Sequence, residues 1–399
     1  MFGFLQENRD FRNFWFGQVI SQIGDRIHTL AVIWLVYSWT KSGTALGLVL
    51  IAATLPSVLV SPWAGALSDR LNRKQIAIGC DGIRSVLVIM LAALAHYQLL
   101  NMPLLIVMTA FISIASAFFN PSTLAMLPSI IPSQDLGRAN AITQLSANAS
   151  GAIGFLLGSG LIAAIGVTSA FLFNGTSFFI SALLIRSISY QHTPSPRVLS
   201  FLADLKQGWQ VVQSISMVAR ILGPLVVINF FFSSLSVLIP VFGEGTFKAG
   251  SSGIGMLLAS FTCGMFLAAL VLSSWQLKIT ISRLVTVSLL VVGGSFLAMA
   301  AFQHLPLFMV ALVLIGFALN SANICLITMF QRVIPGEVRG KFFSMLTAVS
   351  LSAQPISYGL TGWFSDLLNP AAILLVCGAA LLICAGMIYR IVELREQFV

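Results

Sequence analysis

Charged side chains are scarce in this sequence: only 8% of its 399 residues are Asp, Glu, Lys or Arg, whereas 58% are hydrophobic. A soluble domain of ordinary composition carries roughly 25% charged residues. A chain this poor in charge cannot cover its surface with solvated side chains, so the composition excludes a water-soluble globular protein. Lipid is the remaining solvent, and a backbone in lipid must form helices or a closed barrel.

Several other features are missing. The long apolar runs lack the period-two alternation of a membrane barrel, which leaves an all-α integral membrane protein. There is no glycine-rich loop followed by Lys and Ser or Thr, so ATP hydrolysis is not supported. No Ser/His/Asp or Cys/His arrangement survives the predicted topology, so we expect no enzyme. The five cysteines lie inside apolar runs without metal-ligand spacing, and we expect no metal, disulfide or cofactor.

The net charge of +9 admits two explanations, nucleic-acid binding or the basic cytoplasmic loops of a membrane protein. The second fits the distribution, because twelve apolar runs are long enough to span a bilayer. If both termini are cytoplasmic, the outside loops hold only Lys41 and Lys248. We therefore expect the bacterial inner membrane, cytoplasmic termini and no nucleic-acid partner. The predicted spans are 12–38, 44–68, 75–97, 103–128, 136–164, 167–189, 219–242, 252–276, 283–302, 306–332, 341–364 and 370–392.

The second half of the chain echoes the first. Four pairs of residues recur at one constant separation along the chain: Asn120/Asn323, Pro132/Pro335, Gly137/Gly340 and Arg138/Lys341. Internal duplication of apolar spans is typical of two-bundle transporters. The prediction is one six-helix bundle over 1–189 and a second over 219–399. Residues 190–218 form a polar linker whose spacing predicts an amphipathic helix at the inner surface, with a plain solvated linker as the alternative.

A short basic segment joins the second and third spans. It contains Gly65, Asp69, Arg70, Arg73 and Lys74. The carboxylate can bind a helix N-terminus, and the bases can hold the anionic leaflet or pair with acids. Such a cluster predicts a conformational latch, and the alternative is an ordinary positive inner loop.

This segment resembles the signature Gly-x-Leu-x-Asp-Arg-x-x-Arg-Lys of the major facilitator superfamily. The Asp81–Arg84 spacing, Asn120-Pro121 and Gln354-Pro355 extend the resemblance over nearly the whole chain, toward the branch of bacterial macrolide-efflux proteins and the enterobactin exporter. The resemblance implies twelve helices in two pseudo-symmetric bundles. Two departures weaken an implied proton antiport. The fifth span reads Gly154-Phe-Leu-Leu-Gly158, without the proline that such exporters often carry, and the fourth span lacks the arginine that many such antiporters place there.

Ionisable residues inside the spans are expensive, so they indicate function or fixed pairing. Asp25 shares a face of the first span with Gln18 and Gln22, and it is our proton-binding candidate, with a fixed ion pair as the alternative. His28 lies near the same face and is a second candidate, although taken alone it is more typical of a packed or hydrogen-bonded histidine. Asp81 and Arg84 are two more proton-coupling candidates, with an extension of the inner latch as the alternative.

Polar stripes on other spans predict a substrate cavity at the bilayer midplane, although such residues also join helices. Its predicted lining is Gln18, Gln22, Arg26, Asn120, Asn140, Gln144, Asn148, Asn229, Asn320, Asn323, Gln354 and Tyr358. The expected function is proton-coupled efflux of amphipathic or hydrophobic small molecules by alternating access. A siderophore or metabolite exporter and a lysolipid flippase remain alternatives. The expected partners are a small-molecule substrate, protons and membrane lipid, and the chain is expected to act as a monomer.

Overall fold

The structure is a computed structural model that describes residues 2–190, 209–210, 216–274, 280–334 and 336–391. At some helical positions within these ranges, including Asp69 and Arg70, the backbone alone is described. The amphipathic helix predicted in the linker lies mostly outside the described residues.

Helices account for most of the first half of the chain, because long apolar runs must satisfy their backbone internally. Their bounds are α1 (Phe2–Glu7), α2 (Arg9–Thr40), α3 (Gly43–Arg70), α4 (Arg73–His96), α5 (Met102–Ile130), α6 (Leu136–Ile165) and α7 (Val167–Arg186). Local signals fix several helix starts. Asn72 accepts hydrogen bonds from the amides of Lys74 and Gln75 at the start of α4, and Asn101 accepts one from Leu104 at the start of α5.

The second half continues in the same way. Its elements are α8 (Ser216–Ser233), α9 (Leu235–Pro240), a π turn (Val241–Thr246), α10 (Gly250–Ser274), α11 (Ile281–Ala301), α12 (Leu305–Val333), α13 (Gly336–Leu367) and α14 (Pro370–Tyr389). In the described part of the chain, eleven helical stretches are long and apolar enough to cross a membrane. The 32-residue α13 occupies the place of the remaining predicted span.

The internal repeat of the sequence is also visible in the positions at which the helices begin and end. The first residues of α5 and α12 are separated by the same number of positions as Asn120 and Asn323, and so are their last residues. The first and last residues of α7 and α14 have this separation as well. A slightly larger offset relates the starts of α3 and α10. Lys41 and Lys248 both adopt a left-handed backbone, with φ of 50° and 51°, and they stand at equivalent positions just before these two helices. The halves are therefore copies that differ slightly in length.

Two compact units are present, and each has its own apolar core. The first contains the described residues of Met1–Trp39, Ala52–Leu199 and Gly250–Gly255. The second contains those of Thr40–Ile51, Ser200–Ala249 and Met256–Val399. Buried aromatic side chains such as Phe11 in the first unit, and Phe296 and Phe308 in the second, anchor these cores. The start of α3 thus packs within the second unit, although its sequence lies in the first half.

Candidate functional site

Helix α2 approaches α7 closely in the first unit because it presents glycines to it. Gly17 faces Ser181, and Gly24 faces Asn174 and Ser177. Any side chain at these glycines would meet the polar atoms of α7. The polar face of α2 is therefore held against a polar stripe of α7, and α4 packs on the other side of that stripe, where Ser85 Oγ donates to the Gly175 carbonyl at 2.7 Å.

A buried ion pair lies on α4. Arg84 Nη2 pairs with Asp81 Oδ1, and the two residues are only 3% and 0% exposed. The Arg84 guanidinium is stacked between two rings, 4.0 Å from the centroid of Phe119 and 4.2 Å from that of Phe178. Stacking on aromatic faces stabilises a desolvated guanidinium. The two rings and the carboxylate together fix Arg84 in one position.

Asp25 on α2 lies close enough to this pair to interact electrostatically with both Arg84 and Asp81. Asn174 of α7 lies beside its carboxylate. Among the described residues, Arg84 is ion-paired with Asp81 and not with Asp25. Two carboxylates thus lie near one buried arginine, which pairs with only one of them. The structure therefore brings together three of the four residues predicted for proton coupling.

His28, the fourth, is buried in the same unit. Its ring centroid lies 5.2 Å from that of Phe171, and its Nδ1 has no hydrogen-bond partner among the described residues. This geometry is that of a packed histidine.

Three residues of α7 that were not among the predicted site residues complete this cluster, namely Asn174, Ser177 and Ser181. All three are buried. Ser177 Oγ donates to Asn174 Oδ1 at 3.1 Å, and Ser181 lies beside Asp81. Their spacing of three and four places them on one helical face, which was the signal available.

Helices α2 and α6 run in parallel with a constant register. Trp15 Nε1 donates to Ser146 Oγ at 2.8 Å, and Gly158 packs on Ile27, so both contacts join positions with the same separation along the chain. This register places Asn148 level with Gln18 and its neighbour Gly17. Buried atoms of Gln18, Gln22 and Asn148 have no hydrogen-bond partner among the described residues. Unpaired buried amides are costly, so this seam has unused hydrogen-bonding capacity.

Four other residues predicted to line a cavity have exposed side chains. Arg26 is exposed, and its guanidinium lies 6.0 Å from the centroid of Phe155. Asn120, Asn140 and Gln144 are exposed as well.

The second unit contains a cavity of about 220 Å³ among α8, α10, α11 and α12. Three of the predicted residues line it: Asn229, Asn320 and Asn323. The remainder of the wall is apolar and includes Phe232 and Phe261, whose ring centroids are 5.6 Å apart. Of the two predicted α13 residues, Tyr358 is buried and hydrogen-bonds to Ser236, while Gln354 is half-buried.

The predicted latch is described in part. Arg73 Nη1 donates to the Ala125 carbonyl at 3.3 Å, and Lys74 Nζ donates to the Ile188 carbonyl at 2.7 Å. These bases therefore hold the carboxyl ends of α5 and α7 within the first unit. Gly65 lies in α3 with open space around it. The side chains of Asp69 and Arg70 lie outside the described residues, so the latch itself stays a prediction.

These helices, their repeat and their buried polar clusters define a multi-pass membrane transporter with the major facilitator fold. The chain belongs to the transmembrane secretion effector family, which it matches over residues 5–397. It is therefore a transporter and not an enzyme.

Relatives and a solved structure agree with this assignment. The chain is 24% identical to macrolide efflux protein A of Streptococcus pyogenes, over 97% of this chain and 96% of that protein. It is 25% identical to the putative bacilysin exporter BacE of Bacillus amyloliquefaciens, over 84% and 83% of the two chains. A bacterial homologue of the human lysosomal transporter Spinster, crystallised in an inward-facing, unoccupied conformation, superposes with a TM-score of 0.71 at 14% identity, with 97% of each chain covered.

Proposed function

We propose that the chain exports amphipathic or hydrophobic small molecules in exchange for protons, by opening alternately to the two sides of the bacterial inner membrane. The family and the efflux proteins among its relatives support export. The excess of bases in the predicted inner loops supports cytoplasmic termini. Single-chain transporters among the structural neighbours are compatible with action as a monomer.

The observation that carries proton coupling is the position of Asp25 near an arginine that is already paired with Asp81. Arg84 is committed to Asp81 by the ion pair and by the two rings that hold it. Arg26, the other cation near Asp25, is exposed beside the Phe155 ring and forms no ion pair with Asp25 among the described residues. Asp25 is then the acid whose charge is least compensated, and uptake of one proton removes that charge.

The mechanism follows from this charge difference. With Asp25 ionised, the cluster carries an unbalanced negative charge in a low-dielectric environment, and the conformation that hydrates the carboxylate is favoured. Protonation removes this preference. A ligand that binds two conformations unequally shifts their populations, and here the proton is such a ligand. Movement of a proton down its gradient can then drive substrate in the opposite direction.

Transport in proteoliposomes tests the proposal. Asp25→Asn is expected to abolish uphill transport of a fluorescent hydrophobic amine driven by an imposed pH gradient, while substrate exchange at equal pH persists. Asp135→Asn is the matched control, since Asp135 ends the short 3-10 turn before α6 and makes no side-chain cap bond. If Asp25→Asn transports along a pH gradient as well as the parent does, the proton role of Asp25 is wrong.

The latch prediction has a separate test. Asp69→Asn should shift the population toward the inward-open state, because one set of inner contacts is lost. Labelling of introduced cysteines from the inside measures this shift, and unchanged labelling would contradict it.

Two alternative functions, anion export and lysolipid flipping, can be tested separately: the first by substituting an arginine, the second by measuring lipid translocation. An anionic siderophore or metabolite needs a free cation, and Arg84 is occupied by Asp81 while Arg26 is exposed. Arg26→Gln is therefore the variant that would impair anion export and spare neutral substrates. A lysolipid flippase would move a fluorescent lysolipid across vesicle membranes, which the drug exporter would not do.

A further inference from the structure

The proposed proton coupling involves the charge cluster of the first unit and leaves the cavity of the second unit without a role. Its volume is about 220 Å³. A dry apolar cavity of about 150 Å³ is large enough to bind benzene, whereas whole drug-sized ligands occupy roughly 300–1,000 Å³. The cavity therefore holds more than a single ring and less than a whole amphipathic substrate. It has the size of one part of such a molecule.

The chemistry of the wall limits what that part can be. Among the described residues, the lining includes no charged side chain, and apart from three asparagines every lining residue is apolar. A charged group placed there would lose its hydration without gaining a counter-ion, which is costly. The tilted pair of Phe232 and Phe261 offers ring faces and edges. An uncharged aromatic or branched aliphatic group fits this environment.

The three asparagines differ in how their amides are used. Asn320 donates to the Met265 carbonyl at 2.7 Å and so ties α12 to α10. Asn229 donates to the Leu225 carbonyl of its own helix at 2.9 Å. Asn323 is exposed, and its amide is not bonded to any described residue. The first two amides each use one N–H on a backbone carbonyl, whereas both N–H groups of Asn323 remain able to donate to a ligand at the edge of the cavity.

The cavity and the Asp25 cluster lie in different copies of the internal repeat. Lys41 and Lys248 occupy equivalent left-handed positions in the two copies. The charged cluster belongs to the first half of the chain, and the apolar cavity belongs to the second.

We infer that this cavity is a subsite for the uncharged, apolar end of the exported molecule, with Asn323 as the hydrogen-bond donor at its edge. The inference rests on the proposed export function and names its substrate class. It separates the two tasks of the chain, since the proton is bound on α2 and the apolar group among α8, α10, α11 and α12.

Protection of an introduced cysteine tests the subsite directly. In a protein whose five native cysteines are replaced by alanine, Asn323→Cys is labelled with N-ethylmaleimide at increasing concentrations of N-phenyl-1-naphthylamine, an uncharged probe that carries a naphthyl and a phenyl group. The probe is expected to slow labelling at position 323. Thr246→Cys is the reporter control, because Thr246 is exposed in the π turn and does not line the cavity. Equal protection of both reporters, or no protection at 323, overturns the inference.

Filling the cavity should abolish this protection. Ala322 is buried in the wall, and Ala322→Phe is expected to raise the probe concentration for half-protection about tenfold or more, because the naphthyl group loses its apolar contacts. Val310→Phe is the matched control on the same helix, since Val310 is 57% exposed and lies away from the cavity. An Ala322→Phe protein with unaltered protection contradicts the subsite.

Parallel transport assays keep the two proposals separate. Transport driven by a pH gradient without protection at position 323 refutes the subsite alone. Protection at 323 without such transport refutes the proton coupling alone and leaves the subsite standing.

Discussion

Asp366 at the carboxyl end of α13 binds the first residue of α3, because its Oδ1 accepts a hydrogen bond of 2.6 Å from the backbone amide of Gly43. Its Oδ2 accepts bonds from Ser42 Oγ at 2.6 Å and from the Thr44 amide at 3.0 Å. A carboxylate at a helix N-terminus satisfies amides that have no partner within the helix and interacts favourably with its dipole. The residue therefore acts as a cap supplied from a distant part of the chain.

The first prediction concerns the charge of this cap. Partial burial acts to raise the pKa of Asp366, but hydrogen bonds from Ser42, Thr44 and Gly43 outweigh it and lower the pKa below its usual value. A lowered pKa contributes stability above the unfolded value near 4, and this contribution is lost as the pH falls through the folded value. Asp366→Asn should cost about 0.3–1 kcal/mol at pH 7. The difference in unfolding free energy between this variant and the parent should shrink toward pH 3.

Thermal unfolding in detergent measures this effect. Asp135→Asn is the control, because Asp135 precedes α6 without forming a side-chain cap bond. A pH-independent difference for Asp366→Asn would show that the charge makes no contribution.

The second prediction concerns the buried pair of Asp81 and Arg84. Removing one partner leaves an uncompensated buried charge, so Arg84→Met should destabilise the protein by about 3 kcal/mol or more. The double variant with Asp81→Leu should be far less unstable than the sum of the single variants, because both charges are gone. Unfolding in a denaturing detergent measures the cycle, and additive effects would contradict the pairing. Arg84→Lys should be intermediate, since it keeps the charge but loses the planar stack.

The third prediction concerns a close helix contact beside the cavity. A Cβ added at Gly316 of α12 would collide with the Phe261 carbonyl of α10. Gly316→Ala should therefore destabilise the protein by about 1–3 kcal/mol. Gly160→Ala is the matched control, because nothing lies within 4 Å of that position, and it should be neutral or stabilising by about 0.5–1 kcal/mol. Equal responses to the two substitutions would argue against the close contact.

The fourth prediction concerns backbone strain at Lys248. Its φ of 51° lies in the left-handed region, which disfavours residues with a side chain. Lys248→Gly should stabilise the protein by about 1 kcal/mol, whereas Lys248→Ala removes the charge without relieving the strain. If the two variants have the same unfolding temperature, conformational strain is not the cause.

Much of the fold follows from local features of the sequence. The predicted spans fall within a few residues of the helices, because an apolar run long enough to cross the bilayer has no other way to satisfy its backbone. The repeat offset read from Asn120 and Asn323 reappears in the bounds of α5 and α12. Asn369 and Pro370 mark the start of α14 by ordinary cap chemistry, with a bond of 2.9 Å from the Ala371 amide to Asn369.

The site was only partly predictable, because periodicity tells which residues share a face and not which faces meet. The stripe of Asn174, Ser177 and Ser181 was visible on its own helix, but its contact with Asp25 depends on the glycines of α2. The cap formed by Asp366 joins residues too far apart in sequence for any local pattern to reveal. The pairing of Arg84 with two rings likewise needs α4, α5 and α7 to meet.

The π turn at Val241–Thr246 distinguishes the copies of the first span. A π turn accommodates an extra residue without breaking the helix. The wider ring closed by its hydrogen bonds absorbs that residue locally. Phe232 and Asn229 precede the turn and keep their orientation toward the cavity, whereas Glu244 lies within it and reaches Lys41 Nζ at 2.9 Å. A substitution in this turn can therefore alter the contact at the rim of the helix while Asn229 and Phe232 keep their places in the cavity wall.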